Sequence, residues 1–140
     1  MLTYMQSWHE WLAIGLASLV VFVIGGVWYA PGVFGTRWSR QSGIPRGHLD
    51  GRRMGLVFAL AWLLGLVMAI NLALFLGPSP SFGFAVGAAA AAGIGWTAAA
   101  FGITYLFERR PFGLWMVNAG YHAVALMAVG AVLAIVPRLA

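Results

Sequence analysis

Four long apolar stretches, at about residues 8–29, 54–76, 82–107 and 112–136, leave this chain few architectures to adopt. A hydrocarbon core about 30 Å thick takes about 20 apolar residues per helix, and 140 residues give four such spans with little left over. The composition agrees: 62% of the residues are hydrophobic and 8% are charged, whereas a soluble domain is roughly one-quarter charged. The expected fold is an all-α integral membrane bundle of four transmembrane helices. It forms a single domain over residues 1–140 with no separate soluble module.

The breaks between spans carry their own signals. Pro31 and Gly32 end the first span, Gly77, Pro78 and Pro80 mark a short turn, and Pro111 suits the first turn of the last helix after a hairpin at Glu108, Arg109 and Arg110. Asp50 is a suitable N-cap for the second span, since its carboxylate can accept from free amides at the positive helix end. The long loop at 31–53 places Phe34 and Trp38 one turn apart among arginines, which predicts that part of it lies flat at the lipid interface.

A net charge of +5 would suggest nucleic acid in a soluble protein, but here the basic residues lie between apolar segments and report topology. No nucleic-acid partner is expected; the partner is membrane lipid. Arg37, Arg40, Arg46, Arg52, Arg53, Arg109 and Arg110 share one side of a four-span chain, and Arg138 alone marks the other. The positive-inside rule predicts arginine loops in the cytoplasm and both termini on the non-cytoplasmic side. The expected location is a multi-pass position in the bacterial cytoplasmic (inner) membrane. The first span has no basic residue before it and carries His9 and Glu10 at its start, so it is expected to stay as a helix and not be cleaved. Without cysteine there is no disulfide, thiolate metal site or thiol chemistry.

Lipid supplies little hydrophobic drive between helices, so small residues that let backbones approach must contribute. Gly83, Gly87, Ala91, Gly95 and Ala99 recur every four residues along the third span, and Ala61, Gly65 and Ala69 repeat the device in the second. Such a stripe packs either the monomer's own helices or a homo-oligomeric seam. Trp8, Trp11, Trp28, Tyr29, Trp38 and Trp115 fall near span ends, where anchoring at the headgroup level is the default role. Trp62 and Trp96 are deeper and are expected in the core or a site.

Polar residues inside spans are costly and need a reason. Asn118, Tyr121 and His122 share a face of the fourth span, while Thr97, Thr104 and Glu108 share one of the third. Counting outward from the tight hairpin puts Thr104 level with Asn118, and Thr97 and Ala100 level with Tyr121 and His122. If the faces meet, they make a polar seam from Glu108 to His122, which Ser18 could close from the first span. The bland alternative is that these groups hydrogen-bond one another or nearby carbonyls and fix helix register. Other readings are a proton or solute path in which His122 titrates, metal or haem ligation, and acid/base catalysis. Ligation is opposed by the placement of His9 and His48 on opposite surfaces, and no nucleophile or metal motif accompanies His122. No cofactor is expected. Asn71 is read as a lone interhelical hydrogen bond, and Glu108 beside Arg109 and Arg110 as a surface ion pair.

The run Gly26, Val27, Trp28, Tyr29, Ala30, Pro31, with Phe34, Gly35 and Trp38, resembles the opening signature of a family of small bacterial four-helix membrane proteins known only as a domain of unknown function. Gly95, Trp96 and Phe101, then Leu106, Phe107, Glu108, Arg110 and Pro111, then Leu114, Trp115, Asn118, Gly120 and Tyr121, resemble its later signatures in order. A departure falls after Trp96, where Thr97 and Ala98 replace a bulkier apolar residue and glycine. The resemblance implies the four-helix fold and membrane location and brings no activity, substrate or catalytic residue.

The leading expectation is a non-enzymatic polytopic protein that self-associates or serves as an accessory subunit of a larger membrane complex. The alternatives are a small oligomeric transporter or channel using Glu108, Asn118 and His122, and an intramembrane enzyme acting on a lipid or quinone near His122 and Trp96.

Overall fold

Each expected span is helical in a computed structural model of the chain, which describes residues 7–47 and 50–139. His48 lies outside the described residues. Helix α1 covers Trp8–Trp28, and a π-helical turn at Pro31–Gly35 leads into the short α2, Thr36–Ser42. The second span is α3, Gly51–Leu76. The third comprises α4, Phe82–Ala91, a π-helical segment, Ala92–Ala98, and α5, Ala99–Phe107. The fourth is α6, Phe112–Leu139. All four spans are long and apolar enough to cross a membrane, and no strand occurs among the described residues. The protein is a multi-pass membrane protein.

The ends follow local chemistry. Asp50 caps α3 by accepting from the Arg53 amide at 2.8 Å, and the helix begins at Gly51, ahead of the expected Met54. Ser81 caps α4 by accepting from the Phe84 amide at 3.3 Å. The hairpin before α6 turns on Arg109 at φ 54°, and the Arg110 amide donates back to the Tyr105 carbonyl at 2.9 Å. Helix α6 runs past the expected end near Val136 to Leu139, with Pro137 inside its last turn. Arg138 then donates to the Pro80 carbonyl at 2.8 Å and ties this end to the α3–α4 turn.

Helix α6 is the hub. Helix α1 packs along one side of it, burying Ala13, Ile14, Ala17 and Val21, and the third span packs along the other. Helix α3 leans mainly on α1, where Gly65 faces the Ser18 carbonyl and Val21, and Trp62 Nε1 donates to Ser18 Oγ at 3.2 Å. The α6 side chains Ala125, Leu126, Val129, Leu133 and Ala134 fill the shared core.

Contact between α6 and the third span is made backbone to backbone. A Cβ at Gly130 would lie 2.6 Å from the Ala85 carbonyl oxygen and 2.9 Å from Ala89 Cβ, and one at Gly93 would lie 2.8 Å from Ala123 Cα. The buried small residues on this side are Ala85, Ala89, Gly93 and Ala98. Their last step is five residues instead of four, and it crosses the π-helical segment, whose wider turn absorbs the extra residue.

The expected packing stripe therefore lies one row away from the internal contact. Gly83, Gly87, Ala91, Gly95 and Ala99 are all exposed, and a Cβ at Gly83, Gly87 or Gly95 would meet no atom within 4 Å. Gly65 and Ala69 of the second span are buried as expected, while Ala61 is exposed.

The 31–53 loop begins by folding back on the end of α1. Phe34 packs on Trp28 with ring centroids 4.6 Å apart, and Trp38 meets Tyr29 edge-on at 6.0 Å. Gly35 is buried, and a Cβ there would collide with the Tyr29 carbonyl, so the turn can fold this tightly only with glycine. The loop's aromatic residues turn back onto the bundle, since burying rings against other rings removes more apolar surface than lying at the boundary.

Gly130→Ala should destabilise the protein by about 1–3 kcal/mol, because the added methyl strikes backbone that cannot rotate away. Gly87→Ala should leave the thermal midpoint unchanged. Thermal unfolding of both variants in the same detergent checks this, and equal midpoints would refute the assigned helix contact.

Candidate functional site: an aromatic and asparagine cluster

The end of α1 and the first half of α6 meet through hydrogen bonds that lipid would not replace. Trp28 Nε1 donates to the Val117 carbonyl at 2.9 Å, and the Tyr29 hydroxyl donates to Asn118 Oδ1 at 2.8 Å. Asn118 Nδ2 donates in turn to the Tyr105 hydroxyl at 2.7 Å, so one amide joins α1, α5 and α6. Tyr121 donates to the Val21 carbonyl at 3.0 Å, and its ring meets Tyr29 at 5.3 Å. Gly120 makes the approach possible, since a Cβ there would lie 3.1 Å from the Trp28 ring.

On the other side of α6, Trp115 Nε1 donates to the Ala98 carbonyl at 2.8 Å over Gly102. His122 stacks on Phe101 with centroids 5.1 Å apart and planes 21° apart, and it also touches the Tyr121 ring. Its Nδ1 is buried and has no hydrogen-bond partner among the described residues. Among those residues no three His, Asp or Glu side chains gather into a metal-binding group.

The depths expected from the hairpin agree with this arrangement, but the rotation is off by one residue. Tyr105, next to Thr104, faces Asn118, and Phe101, next to Ala100, faces His122. Thr104 is exposed. Glu108 is also exposed and pairs with Arg110 at 3.2 Å, a surface contact of little energetic weight. Thr97 donates to the Ala92 carbonyl at 3.4 Å within the π-helical segment. A continuous seam from Glu108 to His122 is therefore not formed. Helical spacing fixes which residues share a face, not which face meets a neighbour, and the π-helical segment alters the spacing itself.

Other expectations need correction too. Ser18 donates to the Gly15 carbonyl at 2.7 Å and serves the α1–α3 contact instead of the cluster. Asn71 donates to the Val67 carbonyl of its own helix, so it makes no interhelical bond there. Trp96 is 73% exposed and is not a core residue. Trp8 and Trp11 are exposed, as anchors should be, whereas Trp28, Tyr29, Trp38 and Trp115 direct rings or donors into the bundle. Tyr105, which no motif marked, joins the signature residue Phe101 on the face toward α6. The two are spaced i,i+4 and their rings meet edge-on at 5.7 Å, so either one marks the face that the other shares.

Two cavities open along α3, the first of them reaching the cluster at Tyr29 and Tyr121. One of about 620 Å³ lies between α1 and α3, with Phe22, Tyr29, Trp38, Arg46, Phe58 and Tyr121 among its walls. The other, about 560 Å³, lies between α3 and the third span and is lined by Asn71, Phe84, Trp96 and Thr97 among others. His122 lines neither.

Comparison with known families matches residues 12–134 to one described as a protein of unknown function (DUF1761). The chain belongs to this family. No curated protein and no solved structure matched it. The family match takes in α1 from Leu12, the whole cluster and nearly all of α6.

Asn118→Leu keeps the side chain's size and removes both tyrosine hydrogen bonds. At about 0.6 kcal/mol for each bond in a membrane, the loss should be about 1 kcal/mol. Unfolding in mixed micelles reads this directly, and an unchanged stability would mean that the cluster does not clamp the helices.

Proposed function

We propose that this protein is a non-enzymatic polytopic membrane protein that joins a second copy of itself, or a larger membrane complex as an accessory subunit, through the outer face of its third span. One observation carries the reading: Gly83, Gly87, Ala91, Gly95 and Ala99 form an exposed small-residue row, while the neighbouring row already satisfies the monomer's internal contact. A face of this kind permits the close backbone approach that associates helices in lipid. The hydrogen bonds of the cluster fit the same reading, because they join helices of one bundle and leave little polar capacity for a solute.

A small oligomeric transporter or channel is the second reading, and the unpartnered His122 Nδ1 is what favours it. Against it stand the outward positions of Thr104 and Glu108, which keep both off any path from the arginine end to His122. An intramembrane enzyme acting on a lipid or quinone has less support, since His122 borders neither cavity.

We place the protein in the bacterial cytoplasmic membrane with its arginine loops inside and both termini outside, on the charge asymmetry of the loops. Single cysteines at Arg46 and Ser79 read the orientation. Label should reach position 79 from outside intact cells and fail to reach position 46; the reverse pattern overturns the topology.

For association, Gly87→Leu combined with Gly95→Leu should release the chain from its native assembly while its thermal midpoint is retained, because both side chains enter open space in the monomer. The mass of the intact assembly extracted with its surrounding lipid is the readout. An unchanged mass would show that this face looks only onto lipid.

A further inference from the structure

The cavity between α1 and α3 has a cation at its mouth and an apolar floor. Its volume of about 620 Å³ lies within the range of roughly 300–1,000 Å³ typical of ligand pockets. Arg46 sits at the mouth, its guanidinium resting on the bare face of Gly35, and no hydrogen bond or ion pair engages it among the described residues. Tyr29 and Trp38, packed edge to face, line the same end. Deeper in, Phe22 and Phe58 meet edge-on at 6.1 Å. At 1.5 Å per residue, the wall from Tyr29 to Phe22 descends about 10 Å. That covers much of one leaflet's roughly 15 Å share of the hydrocarbon core.

We propose that this groove holds one anionic phospholipid, with its phosphate at Arg46 and one acyl chain between Phe22 and Phe58. What the site lacks is a negative charge. Residues 31–53 carry five arginines and one acid, Asp50, which is already committed to capping α3 and to Arg53 at 3.6 Å. A second copy of the chain cannot supply the missing charge. The protein has three acidic residues in all: Glu10 lies at the opposite end of α1, Asp50 is engaged, and Glu108 pairs with Arg110. Free phosphate would use the mouth and leave the apolar depth empty, whereas a phospholipid fills both parts. Basic pockets between membrane helices recognise anionic headgroups in this way. The site stands apart from the outer face of the third span and does not depend on the association reading.

The test is native mass spectrometry of the purified full chain offered equal amounts of dioleoylphosphatidylglycerol and dioleoylphosphatidylcholine. The wild type should retain one phosphatidylglycerol in preference to phosphatidylcholine. Arg46→Gln should lower that preference about five-fold, the effect expected of one arginine near an anionic surface. Gly26→Leu should abolish retention of either lipid, because Gly26 lines the groove and a Cβ there meets no atom within 4 Å, which leaves the rest of the side chain to occupy the lipid's space. Equal retention of the two lipids by the wild type, or an undiminished preference in Arg46→Gln, overturns the headgroup assignment. Retained lipid in Gly26→Leu overturns the groove as its location. A dimer without bound lipid that dissociates in Gly26→Leu would give the groove to a second copy and overturn the proposal. Assembly mass recorded in the same spectra separates loss of lipid from loss of association at the third span.

Discussion

The close approach of α6 to the third span governs how the bundle is assembled. At Gly130 and Gly93 the space for even one methyl group is already filled by the backbone of Ala85 and Ala123. In lipid, where apolar side chains gain little by leaving one hydrocarbon phase for another, contacts at this distance supply dispersion that larger residues would forbid. The central position of α6 follows, because it offers glycine or alanine to the third span and a separate apolar face to α1. Helix α3, without a comparable contact to α6, is left leaning on α1, and a cavity opens on each side of it.

Hydrogen bonds finish the job at the arginine end. Asn118 accepts from Tyr29 and donates to Tyr105, and indole donors from Trp28 and Trp115 reach carbonyls on the facing helices. Each bond is worth little singly in a membrane. Their combined effect is orientational, since a rotation of α1 or α5 that separated them would leave polar groups in hydrocarbon. The turn at Pro31–Gly35 adds Phe34 and Trp38 to the same cluster, so residues far apart in sequence close one end of the bundle together. This also accounts for why a polar patch in the middle of a span need not be a pathway.

The architecture was largely legible in the sequence. Apolar length gave the four spans, Asp50 announced the start of α3, and the hairpin fixed the depth at which α5 faces α6. Rotation was not legible. The i,i+4 rule found one small-residue row on the third span without saying whether it turns inward, and that glycine-rich row proved to be the outer one. For the same reason Thr104 was expected where Tyr105 stands. The π-helical segment at Ala92–Ala98 could not be seen in the spacing, because its extra residue is defined by hydrogen bonding and not by residue type. Trp28 and Trp115 lie near span ends, as lipid anchors do, yet both place their N–H groups on backbone carbonyls inside the bundle.

The proposed association rests on an inner row that builds the monomer and an outer row left exposed on the same helix. Cross-linking of single cysteines in the native membrane tests this most directly, since the chain has none of its own. Cysteines at Gly87, Ala91 and Gly95 should give adducts under mild oxidation or with a short bifunctional thiol reagent, and cysteines at Leu60 and Leu64 on the exposed face of α3 should not. Equal yields at both sets of positions, or adducts on α3 alone, would contradict the account.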